Sequence, residues 1–511
     1  MNTTDYLLEL GQDQAIALID GSKSYSYYDL KNASACLAQE LLAVGINPTD
    51  RVGVIGANSL FWAAAYLAIL KIGAIAVPFP VTLTASELQT RQNFVQCKAI
   101  CVEKRYYQRL QGGLTTEARL IFEDSLKKSE GVWWATLPTY GDEQDDAVYL
   151  FTSGTTARPR VVRLTHRNIQ ANTTSIIEYL ELTSADRVMA ILPFHYCFGT
   201  SLLHTHLRVG GSVVLSRFLY PETMLDTMEK THCTGLAGVP SIYQTLLRNT
   251  TFPKRELKSL RHIQQAGGKL QTVLIKELIA AVPQAKVFIM YGQTEATARL
   301  SYLPPELLHT KLGSVGQGIP GVTLSVINES GVAVQPGEVG EIVARGDNIS
   351  PGYLDEPEAN AKKFKDGALY SGDLATVDED GFIFVVDRKD DFIKSYGHRV
   401  SSQDIESGVL EMPEIVAAAA IGLPDLVRGE AIRVYVTLRA GSELTPEQII
   451  AHCKPRMAHH MVPQSVVILQ NLPLNENGKV LKSVLRQQAI AELEAQEKGA
   501  EACVASPELS I

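Results

Sequence analysis

The chain of 511 residues lacks an apolar segment long enough to cross a membrane as a helix. Its longest apolar run covers residues 60–70 and stops at Lys71, well short of the ~20 residues that such a helix needs. The amino terminus also lacks a basic stretch ahead of an apolar core, since residues 1–11 carry Asp5 and Glu9. The sequence therefore predicts neither a membrane span nor a secretory signal.

Positive charge is also in short supply, with 47 Lys and Arg against 56 Asp and Glu, a net charge of −9. Proteins that bind nucleic acid or anionic lipid over a broad surface need an excess of basic side chains. The composition therefore excludes a broad surface of that kind and leaves room only for local phosphate sites.

Cysteine is sparse and scattered, with seven residues in the chain. Cys97 and Cys101 are four positions apart, but no second pair follows with the spacing of a zinc site. An odd number of cysteines without a signal sequence predicts reduced thiols in the cytoplasm.

The chain has the composition of a globular protein, 45% hydrophobic and 20% charged. Short apolar runs alternate with amphipathic stretches, which predicts an α/β fold; residues 51–55, for example, read as a strand and residues 59–72 as a helix. Its length exceeds one hydrophobic core. We expect an N-terminal domain over 1–388, a small α+β domain over 389–490 and a disordered tail over 491–511.

A hydroxyl-rich turn follows an apolar strand-like run at residues 147–152. Ser153, Gly154, Thr155 and Thr156 form this turn, and a helix capped by Thr165 is predicted after it. Backbone N–H and hydroxyl groups in such a turn can hold an anion. The spacing is not that of a Walker loop. Taken alone, the turn is more typical of an ordinary surface loop.

Four further motifs follow in a fixed order: YGQTE at 291–295, YSGDLA at 370–375, DRKDDFIKSYG at 387–397 and PLNENGKVLK at 473–482. Together with TSGTT at 152–156, this series resembles the adenylate-forming superfamily of acyl-CoA synthetases, free-standing adenylation enzymes and luciferases. The resemblance covers residues 25–485, nearly the whole chain. It implies a large N-terminal adenylating domain built of several subdomains and a small mobile C-terminal lid.

The activity implied is ATP-dependent activation of a carboxylic acid to an acyl-adenylate, with Mg²⁺ as the metal. The acyl group then passes to a pantetheine thiol, of coenzyme A or of a separate carrier protein. Both reacting partners of the first step are anions, so the site must supply positive charge and hydrogen-bond donors.

The resemblance also assigns roles to individual residues. Those with a catalytic role are Lys479, Thr294, Glu295 and His195, and Glu295 also organises Mg²⁺. Those that bind the nucleotide are Thr152, Ser153, Gly154, Thr155, Thr156, Gly267, Gly268, Tyr291, Asp373 and Arg388. Those that line the acid pocket are Tyr196, Cys197, Val239 and Gly292, and Asp390 is the hinge of the lid.

The chain departs from the family pattern directly after the phosphate turn. Residues 157–161 read ARPRV where the family usually has Gly-x-Pro-Lys-Gly. Arg160 keeps the positive charge of the lysine but presents it as a planar fork, and the loss of both glycines stiffens the loop. We expect the phosphate role to persist with altered loop closure.

Cys197 falls where amino-acid-activating members usually have an aspartate for the substrate ammonium. A buried ammonium without a counter-charge is costly, so an acid without a free amine is expected. A free-standing enzyme for an amino acid such as proline is the alternative. His195 is either a wall of the pocket or a packed core histidine. A luciferase-like oxygenase and a non-catalytic binding relative are the alternatives of another class.

Overall fold

A computed structural model describes residues 1–115, 117–127, 134–152, 160–216, 218, 220–388 and 392–504, with the backbone alone given for 127, 387, 388 and 496–504. Helices and strands alternate along this chain. The helices are α1 (Thr3–Leu8), α2 (Tyr27–Ala43), α3 (Leu60–Lys71), α4 (Ala85–Val95), α5 (Lys104–Leu110), α6 (His166–Leu180), α7 (Cys197–Arg208), α8 (Pro221–Thr231), α9 (Pro240–Asn249), α10 (Thr272–Ala281), α11 (Pro357–Lys363), α12 (Ser402–Val409), α13 (Pro446–Cys453) and α14 (Lys482–Val504).

The strands of the first half are β1 (Ile16–Asp20), β2 (Lys23–Ser26), β3 (Arg51–Ile55), β4 (Ile75–Phe79), β5 (Ala99–Val102), β6 (Arg119–Phe122), β7 (Asp146–Phe151), β8 (Val161–Thr165), β9 (Arg187–Ala190), β10 (Ser212–Leu215), β11 (Gly235–Gly238), β12 (His262–Gln265) and β13 (Lys286–Tyr291). Those of the second half are β14 (Ser301–Leu303), β15 (Gln317–Gly318), β16 (Val322–Ile327), β17 (Gly340–Gly346), β18 (Gly352–Tyr353), β19 (Phe364–Lys365), β20 (Ala368–Val377), β21 (Ile383–Arg388), β22 (Ile393–Ser395), β23 (His398–Val400), β24 (Ile415–Asp425), β25 (Gly429–Leu438) and β26 (Ser465–Ile468).

The chain divides into two compact units. The N-terminal unit comprises Met1–Val239, Lys254–Gly268 and Ile279–Val385, and the C-terminal unit comprises Pro240–Pro253, Lys269–Leu278 and Val386–Ile511. The sequence placed its domain boundary three residues after this division. It did not anticipate that helix α9, far upstream, is grouped with the C-terminal unit.

The largest sheet of the N-terminal unit has nine strands in the order β15-β14-β13-β12-β11-β9-β10-β1-β2. Its six central strands, from β13 to β1, are parallel, and the strands outside them are antiparallel. The central strands are almost wholly buried, as expected for parallel strands covered on both faces.

A second sheet has seven strands in the order β18-β8-β7-β4-β3-β5-β6. Helix α3 packs on its strands β3 and β4, and α7 packs on β9 and β10 of the nine-stranded sheet. The Tyr66 hydroxyl on α3 and Nε2 of His204 on α7 are hydrogen-bonded at 2.9 Å in a buried position. Helices α1, α3, α6 and α7 contact one another, so a helical layer joins the two sheets.

A third sheet, β16-β17-β20-β19 with β21 paired to β20, completes the N-terminal unit. The C-terminal unit has its own sheet, in the order β23-β22-β25-β24 with β26 paired to β25. Its strand β24 carries helices α12 and α14. The α/β class, with a large N-terminal and a smaller C-terminal part, is confirmed.

Local signals account for many of these elements. Thr165 caps helix α6 as predicted, because its hydroxyl accepts the Asn168 N–H while the Asn168 side chain accepts the Thr165 N–H. The strand predicted at residues 51–55 is β3, and the helix predicted at 59–72 is α3.

The carboxyl-terminal region differs from its prediction. Helix α14 continues to Val504, through residues for which the sequence predicted a disordered tail from 491. Alanine and glutamate together supply eight of the residues from 491 to 504, and both are good helix formers. Within the described ranges, no helix combines the length and apolar character needed to span a membrane.

Candidate active site

Nine of the 14 predicted site residues that the structure describes follow the carboxyl ends of four parallel strands. Parallel strands bring these ends to one edge of a sheet, where α/β proteins usually bind ligands. The residues that follow β9, β11, β12 and β13 are, in that order, His195, Tyr196 and Cys197; Val239; Gly267 and Gly268; and Gly292, Thr294 and Glu295.

Tyr291 and Asp373 meet although 82 positions separate them. The Tyr291 hydroxyl donates a hydrogen bond of 2.6 Å to Oδ2 of Asp373, and Nε2 of Gln293 lies 3.4 Å from the same hydroxyl. Asp373 lies on β20 and is buried. Two residues predicted to bind the nucleotide thus lie side by side.

Glu295 is held by an aromatic partner. The Tyr353 hydroxyl donates a 2.7 Å hydrogen bond to its Oε1, and the Arg160 guanidinium lies 5.3 Å from the centroid of the Tyr353 ring. Burial, and then the nearby Glu295 carboxylate, raise the pKa of Tyr353. The phenol therefore stays protonated and acts as the hydrogen-bond donor to Glu295. Within the described residues, Oε2 of Glu295 has no hydrogen-bond partner.

Thr152 directly follows strand β7. Its N–H donates a 2.8 Å hydrogen bond to the Arg160 carbonyl. Several predicted residues fall outside the described ranges: Ser153, Gly154, Thr155, Thr156 and the hinge residue Asp390. Arg388 ends β21 with only its backbone described.

The Gly267 backbone lies so close to Val239 and Tyr196 that there is no room for a side chain. Its φ is +86°, and an added Cβ would lie 2.9 Å from Cγ1 of Val239 and 3.1 Å from the Tyr196 hydroxyl. The next carbonyl, of Gly268, accepts a 2.8 Å bond from Gln265 Nε2. Predicted nucleotide-binding and acid-pocket residues are therefore in contact here.

Cys197 opens helix α7, and its Sγ lies 3.6 Å from the Thr294 hydroxyl. Beside it, burial, together with the charge of Arg91, lowers the pKa of His195 to about 3. The buried His195 Nε2 has no hydrogen-bond partner in the described part of the chain. Gly292 packs closely as well, because a Cβ there would lie 2.0 Å from the Ala298 carbonyl oxygen.

Lys479 belongs to the C-terminal unit. Its N–H donates 2.9 Å to Oδ1 of Asn475, and its carbonyl accepts the Asn475 N–H at 2.8 Å. The Ser241 hydroxyl on α9 donates 2.7 Å to the carbonyl of Gly478. The turn that presents Lys479 is thus held by its own backbone and by α9 of the same unit.

Two side chains in the N-terminal unit were not anticipated. Tyr353, the partner of Glu295, carries no motif of its own. Arg299 is 1% exposed and lies four positions after Glu295, with its guanidinium 3.9 Å from the centroid of the Phe198 ring. A charged residue so close to a motif glutamate was the one available signal for it.

Family models match most of the chain. The model described as AMP-binding enzyme matches residues 10–354, and that of the AMP-binding enzyme C-terminal domain matches residues 404–479. The chain belongs to the AMP-binding enzymes. The predicted membership of the adenylate-forming superfamily is thereby confirmed.

Similar proteins share nearly the full length of this AMP-binding enzyme. Feruloyl-CoA synthase of Amycolatopsis sp. is 31% identical, over 93% of this chain and 96% of its own. Oxalate–CoA ligase of Arabidopsis thaliana is 30% identical, over 93% and 95%. The structure of o-succinylbenzoate coenzyme A synthetase from Bacillus subtilis, in complex with ATP and a magnesium ion, superposes with a TM-score of 0.83 at 27% identity, over 95% of this chain and 98% of that one.

These matches settle the class of enzyme. The chain is an AMP-forming carboxylic acid–thiol ligase that uses ATP.

Proposed function

We propose that this enzyme activates a carboxylic acid as an acyl-adenylate, releases pyrophosphate and transfers the acyl group to the thiol of coenzyme A. The observation that carries the proposal is the meeting of three motif regions in one unit: Tyr291 bonded to Asp373, and Glu295 bonded to Tyr353 beside Arg160. Seven of the ten residues assigned to the nucleotide belong to these three motifs.

The residues present fit ATP and Mg²⁺. Gly267 packs too closely against Val239 and Tyr196 to carry a side chain. We propose that the adenine lies against the bare backbone of Gly267 and Gly268, with Tyr291 on the other side. Ionised Asp373 is acceptor-only and suits the vicinal hydroxyls of a ribose, with Arg388 beside them. Bound Mg²⁺ neutralises phosphate charge, and the second oxygen of Glu295 is a ligand of the kind it prefers.

Different segments of the chain supply the positive charge and the hydrogen-bond donors at the reacting centre. We assign the Thr294 hydroxyl to the α-phosphate and Arg160, with residues 152–156, to the outer phosphates. The Lys479 ammonium offsets the charge that develops as the acid attacks. Asp390 is the proposed hinge by which the lid then withdraws this lysine.

The acid pocket is proposed between Tyr196, Cys197, Val239 and Gly292, with His195 as a neutral wall. No acidic side chain belongs to this set, which supports an acid without a free amine over proline or another amino acid. The relatives differ in acid, because ferulate, oxalate and o-succinylbenzoate appear in their names. Coenzyme A as the thiol follows the same names.

The decisive experiment is acid-dependent exchange of pyrophosphate into ATP by the purified full chain with Mg²⁺. The panel comprises fatty, aryl, alicyclic, dicarboxylic and amino acids, including proline. Exchange with at least one non-amino acid supports the proposal. Silence across the panel while ATP raises the melting temperature would identify a non-catalytic binding relative.

A variant of Lys479 separates the adenylation step from the transfer of the acyl group to the thiol. Lys479→Ala should slow exchange by about 10²- to 10³-fold, the usual cost of removing one transition-state charge donor, and should change transfer from preformed acyl-adenylate far less. Lys454→Ala, an exposed lysine of the same unit, is the matched control. Equal losses in both half-reactions would make Lys479 structural.

The acceptor is tested with preformed acyl-adenylate and coenzyme A. Thioester formation with free coenzyme A supports the proposal. A turnover that proceeds only with a phosphopantetheinylated carrier protein would replace coenzyme A by a carrier, and oxygen uptake with light would indicate a luciferase-like reaction.

A further inference from the structure

Arg299 is a buried cation that has no counter-ion among the described residues. It is among the largest fully buried side chains, and no described residue accepts a hydrogen bond from its Nε or Nη2. Across the part of the chain that the structure describes, it forms no ion pair with any carboxylate. The Arg299 guanidinium therefore keeps unused donors in the interior.

The guanidinium faces the segment proposed to hold the acid. It covers the ring of Phe198, which is edge-on to Tyr196 at 6.4 Å between ring centroids. Phe198 follows Cys197, whose Sγ is 3.6 Å from the Thr294 hydroxyl. The Phe198 ring thus lies between the Arg299 cation and Tyr196, which is assigned to the acid pocket. The pocket residue Cys197 in turn adjoins Thr294, which is assigned to the α-phosphate.

Two amide side chains fix the Arg299 backbone. Asn172 Nδ2 donates 2.9 Å to its carbonyl, and Asn172 Oδ1 accepts its N–H at 3.2 Å. Asn348 Nδ2 also donates 2.9 Å to the same carbonyl. The chain enters Arg299 through a turn at Thr297, where φ is 68° and ψ is −60° and the Ala298 N–H bonds to the Ala296 carbonyl.

Such a γ-turn with positive φ is rare and strained, above all for a β-branched residue. The Thr297 hydroxyl donates 2.8 Å to the Asn348 carbonyl and so helps to hold the turn. Strain of this kind persists only where the surroundings enforce it, and it concentrates at ligand sites. The direction of Arg299 is therefore imposed by its surroundings.

The nearby side chains cannot balance the charge. Arginine stays protonated at any ordinary pH, and an isolated buried cation is strongly unfavourable. Burial raises the pKa of Tyr179 to about 12 and likewise raises the pKa of Tyr196, so both phenols are neutral near pH 7. The contact with Phe198 offsets only part of the cost. What is missing is an anion.

We propose that Arg299 binds a second carboxylate on the substrate, so that the acid this enzyme activates is a dicarboxylic acid. One carboxylate reacts with ATP, and the other stays ionised against the planar fork of Arg299, which matches carboxylate geometry with two parallel hydrogen bonds. This inference rests on the proposed function and specifies its substrate class.

The test compares each dicarboxylic acid with the monocarboxylic acid of the same carbon number. Malonate, succinate, glutarate and adipate are paired with propionate, butyrate, pentanoate and hexanoate in pyrophosphate exchange by the wild-type protein. For the best diacid we expect kcat/KM about 10²- to 10³-fold above its monoacid partner, because the monoacid leaves Arg299 buried and unpaired.

Arg299→Met should lower kcat/KM for that diacid by a similar factor and leave the monoacid unchanged or improved. Arg299→Lys, which keeps the charge but not the fork, should fall between them. Arg345→Met removes an exposed arginine of the same unit and should behave as wild type. As a readout independent of turnover, the diacid alone should raise the melting temperature of wild type and of Arg345→Met, but not of Arg299→Met.

Exchange with monocarboxylic acids at rates equal to or above the diacids would overturn the dicarboxylate inference and leave the proposed function standing. Absence of exchange with every acid would overturn the proposed function itself. If Arg299→Met misfolds, the wild-type preference between paired acids still decides the question.

Discussion

Two buried arginines, one in each unit, satisfy their donors in opposite ways. Arg248 on α9 donates 2.6 Å from Nη2 to Oε1 of Glu277 and 3.2 Å from Nε to Oε2, and it donates to three carbonyls, of Leu410, Met412 and Ile415. Arg299 is equally buried, but within the described ranges two of its three nitrogens have no hydrogen-bond partner and it forms no ion pair. A guanidinium that holds the fold together uses its donors on the protein, whereas one with spare donors is available for a ligand.

The largest expected difference is in stability. Arg248→Met should lower the free energy of unfolding by about 3–5 kcal/mol, since it leaves the Glu277 carboxylate and three carbonyls without their partner. Arg299→Met should cost about 0–1 kcal/mol or stabilise the protein, because it removes an uncompensated buried charge. Urea unfolding of both variants without substrate measures this, and equal losses would remove the distinction between the two arginines.

Histidines sharpen the comparison because imidazole can lose its proton on burial, which guanidinium cannot. Burial lowers the pKa of His204 to about 3, so the folded chain keeps it neutral while the unfolded chain protonates it below about pH 6.5. The unfolded state binds more protons there, and stability falls as the pH falls from about 6.5 toward 3.

His204→Gln should therefore reduce the loss of stability between pH 7.5 and pH 5 by about 2 kcal/mol relative to wild type. Glutamine can still hydrogen-bond to the Tyr66 hydroxyl. His309→Gln, at an exposed position of the same unit, should leave the pH dependence unchanged. Parallel pH profiles of urea unfolding for wild type and His204→Gln would contradict the assignment.

Loss of one of the side-chain hydrogen bonds that hold the Arg299 backbone should have a smaller effect. Asn348→Ala removes the bonds that Nδ2 donates to the Arg299 and Ala296 carbonyls. We expect it to raise KM for the best diacid by about tenfold, roughly 1.4 kcal/mol, with kcat little changed. Asn93→Ala, at an exposed position, is the control. An equal rise in KM for the paired monoacid would show that Asn348 acts on the whole pocket and not through Arg299.

The smallest effect is expected at Glu295, where only one carboxylate oxygen has a hydrogen-bond partner among the described residues. Tyr353→Phe removes the single bond to Oε1 of Glu295 and should lower kcat by about fivefold, roughly 1 kcal/mol, through looser orientation of that carboxylate. The Mg²⁺ concentration for half-maximal exchange should rise. Tyr28→Phe at the surface should change neither. Unaltered kcat and Mg²⁺ dependence would mean that Glu295 needs no orienting partner.

The sequence predicted local secondary structure better than it predicted contacts between distant parts of the chain. Helix α6 with its Thr165 cap and strand β3 could be predicted because their signals are local in sequence. The proximity of Tyr291 and Asp373 followed from the family resemblance, since both belong to motifs. Their hydrogen bond did not, because it depends on the pairing of distant elements.

Arg299 could not be predicted as an unpaired cation. Its state depends on which side chains are absent around it, and its immediate neighbours come from positions 172, 198 and 348, none of which belongs to a motif. An absence of carboxylates is a property of the packed interior. At the carboxyl terminus the composition predicted a disordered tail from 491, whereas helix α14 extends to Val504. Strong helix formers in this segment account for the difference.

The turn at Thr297 also has a use in enzyme discovery and redesign. By reversing the chain between Glu295 and Arg299, it sends the fourth residue after the motif glutamate into the interior. That position can be found in any related sequence by counting from the motif, without a structure. A genome survey could therefore sort related enzymes by the residue found there, and a designer could change the charge of the accepted acid with one codon.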